Sequence, residues 1–210
     1  MLIEFMMIFL TLVNLIILST SRLSTCIKVI ACQGIILGIL PIAGGQFSIE
    51  LVIFSIIAIG VKGILFPSML LRTLSQLNIH RERKPYVGYG MSLLIGLVAI
   101  VFSWWISSDL SLPVAPASST VVPVSLFTLF VGLFLIISRK MALTQVIGYL
   151  IFENGIYMFG VVLPQKQPLL VELAVLLDAF VAVFVMGITI FHISRAFDHI
   201  ETDQLSTLRS

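Results

Sequence analysis

The sequence predicts an all-α integral membrane protein of about seven transmembrane helices. Three observations carry this. Of the 210 residues, 59% are hydrophobic and only 10% charged, against about 25% charged in an ordinary soluble domain. The apolar residues gather in seven runs, each near the roughly 20 residues that cross a bilayer as a helix. The polar stretches between them are about fifteen residues or shorter, which leaves no soluble domain. In lipid each span must satisfy its own backbone hydrogen bonds, so each run is read as a helix.

The first run, about 2–20, lacks a basic leading region and a small-residue cleavage site, and carries Glu4. It reads as a retained span and not as a signal peptide. The second, about 26–43, ends in "GGQ" and holds Cys26 and Cys32. Six residues apart on a helix, these point about 120° away from facing each other and lie about 9 Å apart along the axis. That spacing rules against a disulfide within the helix, and both read as small apolar side chains. The third run, about 48–73, contains Lys62 and is followed by "HRERKP". Gly60 and Gly63 flank the lysine, and Pro67 frees the carbonyl of Gly63. These residues either loosen the helix beside Lys62 or serve close helix packing.

The fourth run, about 87–107, ends in "SDLSLPVAPASST". The fifth covers about 120–138 and the sixth about 142–163, closed by "PQKQP". The seventh covers about 169–194. His80, His192 and His199 fall in or near loops and helix ends, and no His/Cys cluster has metal-ligand spacing.

Basic residues set the orientation. With the N-terminus outside, the inner segments hold Arg22, Lys28, Arg72, Arg81, Arg83, Lys84, Arg139, Lys140, Arg195 and Arg209. The outer segments hold Lys166 alone, and Lys62 lies within a span. The expectation is therefore N-out and C-in. "HRERKP" reads as a positive-inside loop; a lipid or nucleic-acid role is the sharper alternative, and no nucleic-acid partner is expected. The net charge of +2 adds nothing about partners.

The chain also looks doubled. "SRLSTCIKVI" and "SRKMALTQVI" carry similar punctuation, with Val29-Ile30 matching Val146-Ile147. Pro41 and Pro164 each close a span, and Glu50-Leu51 and Glu172-Leu173 each open the next. Two parallel three-helix repeats joined by the fourth span would follow, in the manner of transporter repeats. Residues 1–86 would form the first unit, 87–119 the linking helix and outer loop, and 120–210 the second unit with a cytoplasmic tail. Chance likeness between apolar helices is the competing explanation.

Ionisable groups at bilayer depth are functional candidates, because each costs roughly 2.5–3.5 kcal/mol even on the lenient insertion scale. Three stand well inside their spans: Lys62, Glu153 and Asp178. Gln33 is a neutral polar group at similar depth, while Glu50 and Glu172 sit at outer span ends. Glu153, Asp178, Lys62 and Gln33 are thus the candidate proton or ion path. A proton crosses lipid only between such groups and ordered water. A buried carboxylate and a buried ammonium within reach can form an ion pair that breaks and reforms. The competing reading is a permanent pair that locks helices in register. No nucleophile elbow, phosphate loop or cofactor signature accompanies these residues, so the chain is read as non-catalytic.

The segments "RKMALTQVIGYLIFENGIYMFG", "LLDAFVAVFVMGI" and "QLSTLRS" resemble the hydrogenase-4 component E family. This is a membrane subunit of formate hydrogenlyase and related group 4 nickel–iron hydrogenase complexes. "RLSTCIKVIACQG" and "VKGILFP" resemble the same family, so the likeness spans nearly the whole chain. The last three spans further resemble the K subunit of respiratory complex I and the C subunit of Mrp-type cation/proton antiporters. Asp178 falls at one buried glutamate of that pattern. The other pattern position is Leu150 here, with Glu153 three residues on, about 60° and about 4.5 Å away. Gln33 would be the matching position in the first triplet.

The resemblance implies a subunit of a membrane complex in the cytoplasmic (inner) membrane of a prokaryote. It would pack beside antiporter-like membrane subunits, in the lipid bilayer, under a peripheral hydrogenase arm. The nickel–iron centre and iron–sulfur clusters would lie in partner subunits, with no cofactor in this chain. Electron transfer in the arm would drive proton or sodium movement through the membrane part. A free-standing cation/proton transporter and a purely structural spacer are the alternatives; a seven-helix receptor finds no motif.

Overall fold

In a computed structural model, the structure describes residues 1–43, 49–77, 81–82, 85–110 and 118–162, with Gly187. Among the described residues the regular structure is helical, apart from one isolated pairing of Arg22 with Arg81. Helix α1 covers Leu2–Ser19 and α2 covers Leu23–Ala43. The third rod is continuous but changes winding twice: α3 (Ile49–Ala58), a π-helical turn (Ile59–Leu65) and α4 (Phe66–Leu77). Helices α5 (Tyr89–Asp109), α6 (Val121–Ser138) and α7 (Ala142–Val162) follow. The expected seventh span, 169–194, and Asp178 within it lie outside the described residues.

Five of these rods are long and apolar enough to cross a membrane: Leu2–Ser19, Leu23–Ala43, Val52–Ser75, Tyr89–Asp109 and Val121–Ser138. The chain is a membrane protein. Helix α7 also has span length, and it carries Gln145, Glu153 and Asn154. Its packing explains how it tolerates them: from Leu143 to Met158 most of its side chains are buried against other helices.

The π-helical turn lies where the sequence places Gly60, Lys62, Gly63 and, just beyond, Pro67. Phe66 donates its N–H to the carbonyl of Val61, five residues back. Such turns interrupt α-helices mostly as single insertions, often beside functional residues. Of the two readings offered for the glycines, both hold. The winding is loosened around Lys62, and Gly63 packs against Ile35 and Ala31 of α2.

The connections between helices gather at the two ends of the bundle. At one end the α1–α2 turn, the α4–α5 segment and the α6–α7 turn meet: Glu82 N donates to Ser21 O, and Tyr86 N to Ser138 O. At the other, Met1 and Glu4, Ala43 and Ser118 line a common cleft. Hydroxyls at Thr11, Ser75, Ser103, Ser108 and Ser125 bond carbonyls three or four residues back in their own helices. That is how a polar side chain is satisfied in a hydrocarbon setting without a partner helix.

The buried apolar side chains form two clusters. One, toward the end with Arg139, includes Ile17, Ile30, Phe66, Val131 and Ile151. The other includes Leu10, Leu37, Ala58, Val124 and Tyr157. Along every helix that contributes to both, a polar residue falls at the changeover or within the next turn. Asn14 lies between Leu10 and Ile17, Gln33 between Ile30 and Leu37, and Lys62 between Ala58 and Phe66. Thr128 lies between Val124 and Val131, and Glu153-Asn154 between Ile151 and Tyr157. The polar residues thus share one layer, closed on both sides by dry side chains.

Candidate functional site: a polar layer between two apolar clusters

Lys62 and Glu153 meet in this layer as a buried ion pair between the π-helical turn and α7. Lys62 is 6% exposed and Glu153 1%. The Lys62 ammonium also lies 5.2 Å from the centre of the Tyr157 ring, one turn along α7 from Glu153. Tyr157 in turn stacks on Phe54 of α3, with centres 6.0 Å apart. A cation against an aromatic face in a desolvated site contributes on the order of 2 kcal/mol. The aromatic pair therefore helps hold the charge at a depth where water cannot.

The approach of Lys62 depends on Gly34. A β-carbon on Gly34 would lie 2.6 Å from the Lys62 carbonyl carbon and 2.7 Å from its oxygen. Only glycine lets α2 touch the π-helical backbone there. Leu150 is buried in the apolar cluster on the Arg139 side, and Glu153, three residues on, is the carboxylate that meets Lys62.

Gln33 is hydrogen-bonded on both sides in this layer. Its Nε2 donates to Asn14 Oδ1 at 2.8 Å, and its Oε1 accepts from Asn154 Nδ2 at 3.4 Å. Asn14 Nδ2 donates to Thr128 Oγ1 at 2.9 Å, and Thr128 Oγ1 donates to Val124 O at 2.8 Å. Four helices are joined by this run. Of the four site residues expected from sequence, the structure brings Lys62 and Glu153 together and joins Gln33 to the residue after Glu153. Asn14, Thr128, Asn154 and Tyr157 were not singled out. The signal for the two asparagines was present: each is a neutral amide in mid-span, like Gln33.

A second buried pair closes the end of the bundle. Glu82 and Arg139 lie 3.7 Å apart at Oε2 and Nε, with side chains 3% and 1% exposed. Glu82 Oε1 accepts from Lys140 N at 3.2 Å, Arg139 Nη2 donates to Leu18 O at 3.4 Å, and the guanidinium lies 4.6 Å from the Tyr89 ring centre. The sequence reads this stretch as a positive-inside loop. Within it Glu82, the single acid of "HRERKP", is buried against Arg139. Arg139→Ala leaves a buried carboxylate unpaired, a loss of about 3–5 kcal/mol. A lower thermal midpoint of the solubilised protein is expected, largely regained when Glu82→Gln is added; equal midpoints for Arg139→Ala and the parent would refute the pairing.

Cys26 and Cys32 are free thiols. Among the described residues, no three His, Cys, Asp or Glu side chains come together to hold a metal. The described arrangement holds opposite charges against each other inside the bundle.

The chain is 29% identical over 183 residues to hydrogenase-4 component E of Escherichia coli K12, covering 85% of this chain and 84% of the relative. The same figures hold for hydrogenase-4 component E of Shigella flexneri. It is 27% identical over 203 residues to an uncharacterised protein of Mycobacterium tuberculosis, covering 95% of this chain and 92% of the relative. No family model matches, and no solved structure does. Over most of its length, the chain is a homologue of hydrogenase-4 component E.

Proposed function

We propose that this homologue of hydrogenase-4 component E is a non-catalytic membrane-arm subunit of a group 4 nickel–iron hydrogenase complex. In this role it contributes buried charge to proton or sodium translocation. The observation that carries the reading is the Lys62–Glu153 pair, set in a polar layer of a chain that aligns with component E over 85% of its length. Apolar clusters above and below the layer favour charge moving across the bundle, not along the membrane normal. Asp178 would continue the path on the seventh span, and Gln33 would contribute hydrogen bonds alone. The chain would lie N-out and C-in in a prokaryotic cytoplasmic membrane, as two three-helix units joined by α5. Antiporter-like subunits would flank it, and the nickel–iron centre and iron–sulfur clusters would belong to the peripheral arm.

Gentle solubilisation of the tagged native protein, followed by mass spectrometry, tests the assignment. Hydrogenase and antiporter-like subunits in fixed ratio are the expected result. Recovery of the chain alone would shift the reading to a free-standing transporter.

A further inference from the structure

The run from Asn154 to Val124 has a direction, and one bond sets it. The Thr128 hydroxyl gives its hydrogen to the carbonyl of Val124, in its own helix. Its oxygen is then an acceptor toward Asn14, which must present its NH2 group there. Asn14 therefore turns its carbonyl to Gln33, Gln33 turns its NH2 to Asn14 and its carbonyl to Asn154, and Asn154 donates. Each amide is fixed by the one before it, back to a main-chain carbonyl.

Two consequences follow. Water or a hydroxyl passes a proton by rotating afterwards. An amide has its donor on nitrogen and its acceptor on oxygen. Turning it over within this buried run would set donor against donor and acceptor against acceptor. The run also ends on a backbone carbonyl, which has no hydrogen to hand on. It therefore stops a proton.

The second consequence concerns Gln33-Gly34. Gln33 holds α7 one residue from Glu153, and Gly34 admits the backbone of Lys62. One dipeptide of α2 thus gauges both sides of the ion pair.

We propose that Asn14, Gln33, Thr128 and Asn154 form an anchored amide ladder that positions Glu153 against Lys62 and blocks proton escape toward α1 and α6. Gln33 is then a positioning residue and not a proton station. This rests on reading the Lys62–Glu153 pair as part of the path.

The test uses the whole complex in membrane vesicles. Translocation per turnover is measured together with the infrared carboxyl signal of Glu153, identified by its loss in Glu153→Gln. Gln33→Leu is expected to shift that signal and to lower translocation on the order of tenfold, the equivalent of one buried hydrogen bond. Gln33→Glu is expected to restore both. Buried and protonated, it still donates to Asn14 and accepts from Asn154. Adding Asn14→Leu to Gln33→Leu should cost little more, because the ladder acts as a unit.

Complete loss of translocation in Gln33→Leu with an unmoved Glu153 signal would overturn the proposal, since Gln33 would then carry the proton. An unmoved signal with normal translocation would overturn it too. If Gln33→Leu does not assemble, Thr128→Val removes the anchor at unchanged volume and is read the same way. Normal translocation in Glu153→Gln would instead defeat the path reading; the Glu153 signal in Gln33→Leu would still decide whether the ladder positions the carboxyl.

Discussion

Glu153→Gln leaves the complex assembled and removes most of its coupled ion translocation. The glutamine fills the same volume, so the packing of α7 against α2 and α6 persists. What goes is the countercharge of Lys62, at a site where Glu153 is 1% exposed and apolar clusters stand on both sides. Breaking a buried pair by removing one partner costs about 3–5 kcal/mol. The amide still accepts a hydrogen bond from Lys62, so the loss should fall at the low end. Adding Lys62→Met removes the other charge of the pair as well. Stability should recover in that double variant while translocation does not, because both exchanging members of the pair are gone. Co-purification reports assembly, and translocation in inverted membrane vesicles reports function. Full translocation by an intact Glu153→Gln complex would end the path reading, and failure to assemble would favour a static lock.

Much of this site was open to sequence because its cost is local. A lone carboxylate or ammonium in an apolar run is conspicuous wherever the run folds, so Lys62 and Glu153 stood out without coordinates. The glycines and proline around Lys62 likewise marked the place where the third rod changes winding. Pairing is a different matter. Lys62 and Glu153 are 91 positions apart, and nothing in either helix specifies the other. The ladder was hidden for a related reason. Asn14 and Asn154 are inexpensive beside a charge, and their role exists only where four helices bring them into one line. Glu82 was masked by its neighbours, since a basic loop is fully explained by orientation until Arg139 is found buried behind it. The amphipathic pattern that usually separates core from surface was missing from the start. Lipid-facing and protein-facing sides are equally apolar, and α7 differs in carrying Gln145, Glu153 and Asn154 among its apolar residues.

Gly132→Ala should be the most damaging single-methyl change in the described part of the chain. Helices α6 and α7 touch through their backbones at this point. The added β-carbon would contact the Phe152 nitrogen and stand 2.6 Å from the Phe152 α-carbon and 2.7 Å from the Gly148 carbonyl oxygen. None of these atoms can rotate aside, so the helices must separate. Overpacking of a well-packed interior costs typically about 1–3 kcal/mol, and a clash with main chain on two residues belongs at the top of that range or beyond it. Lipid offers no hydrophobic drive to close the gap, because association there rests on packing and polar contacts. Phe152 precedes Glu153, so a shift of α7 also draws the carboxylate from Lys62. The expected result is a much reduced yield of assembled complex and a lowered thermal midpoint, with any surviving complex impaired in translocation. Gly60→Ala is the control, because a β-carbon there meets nothing within 4 Å, although it lies on the π-helical turn that bears Lys62. It should assemble normally. Equal stability of the two variants would mean that close approach of α6 and α7 does not hold this site together.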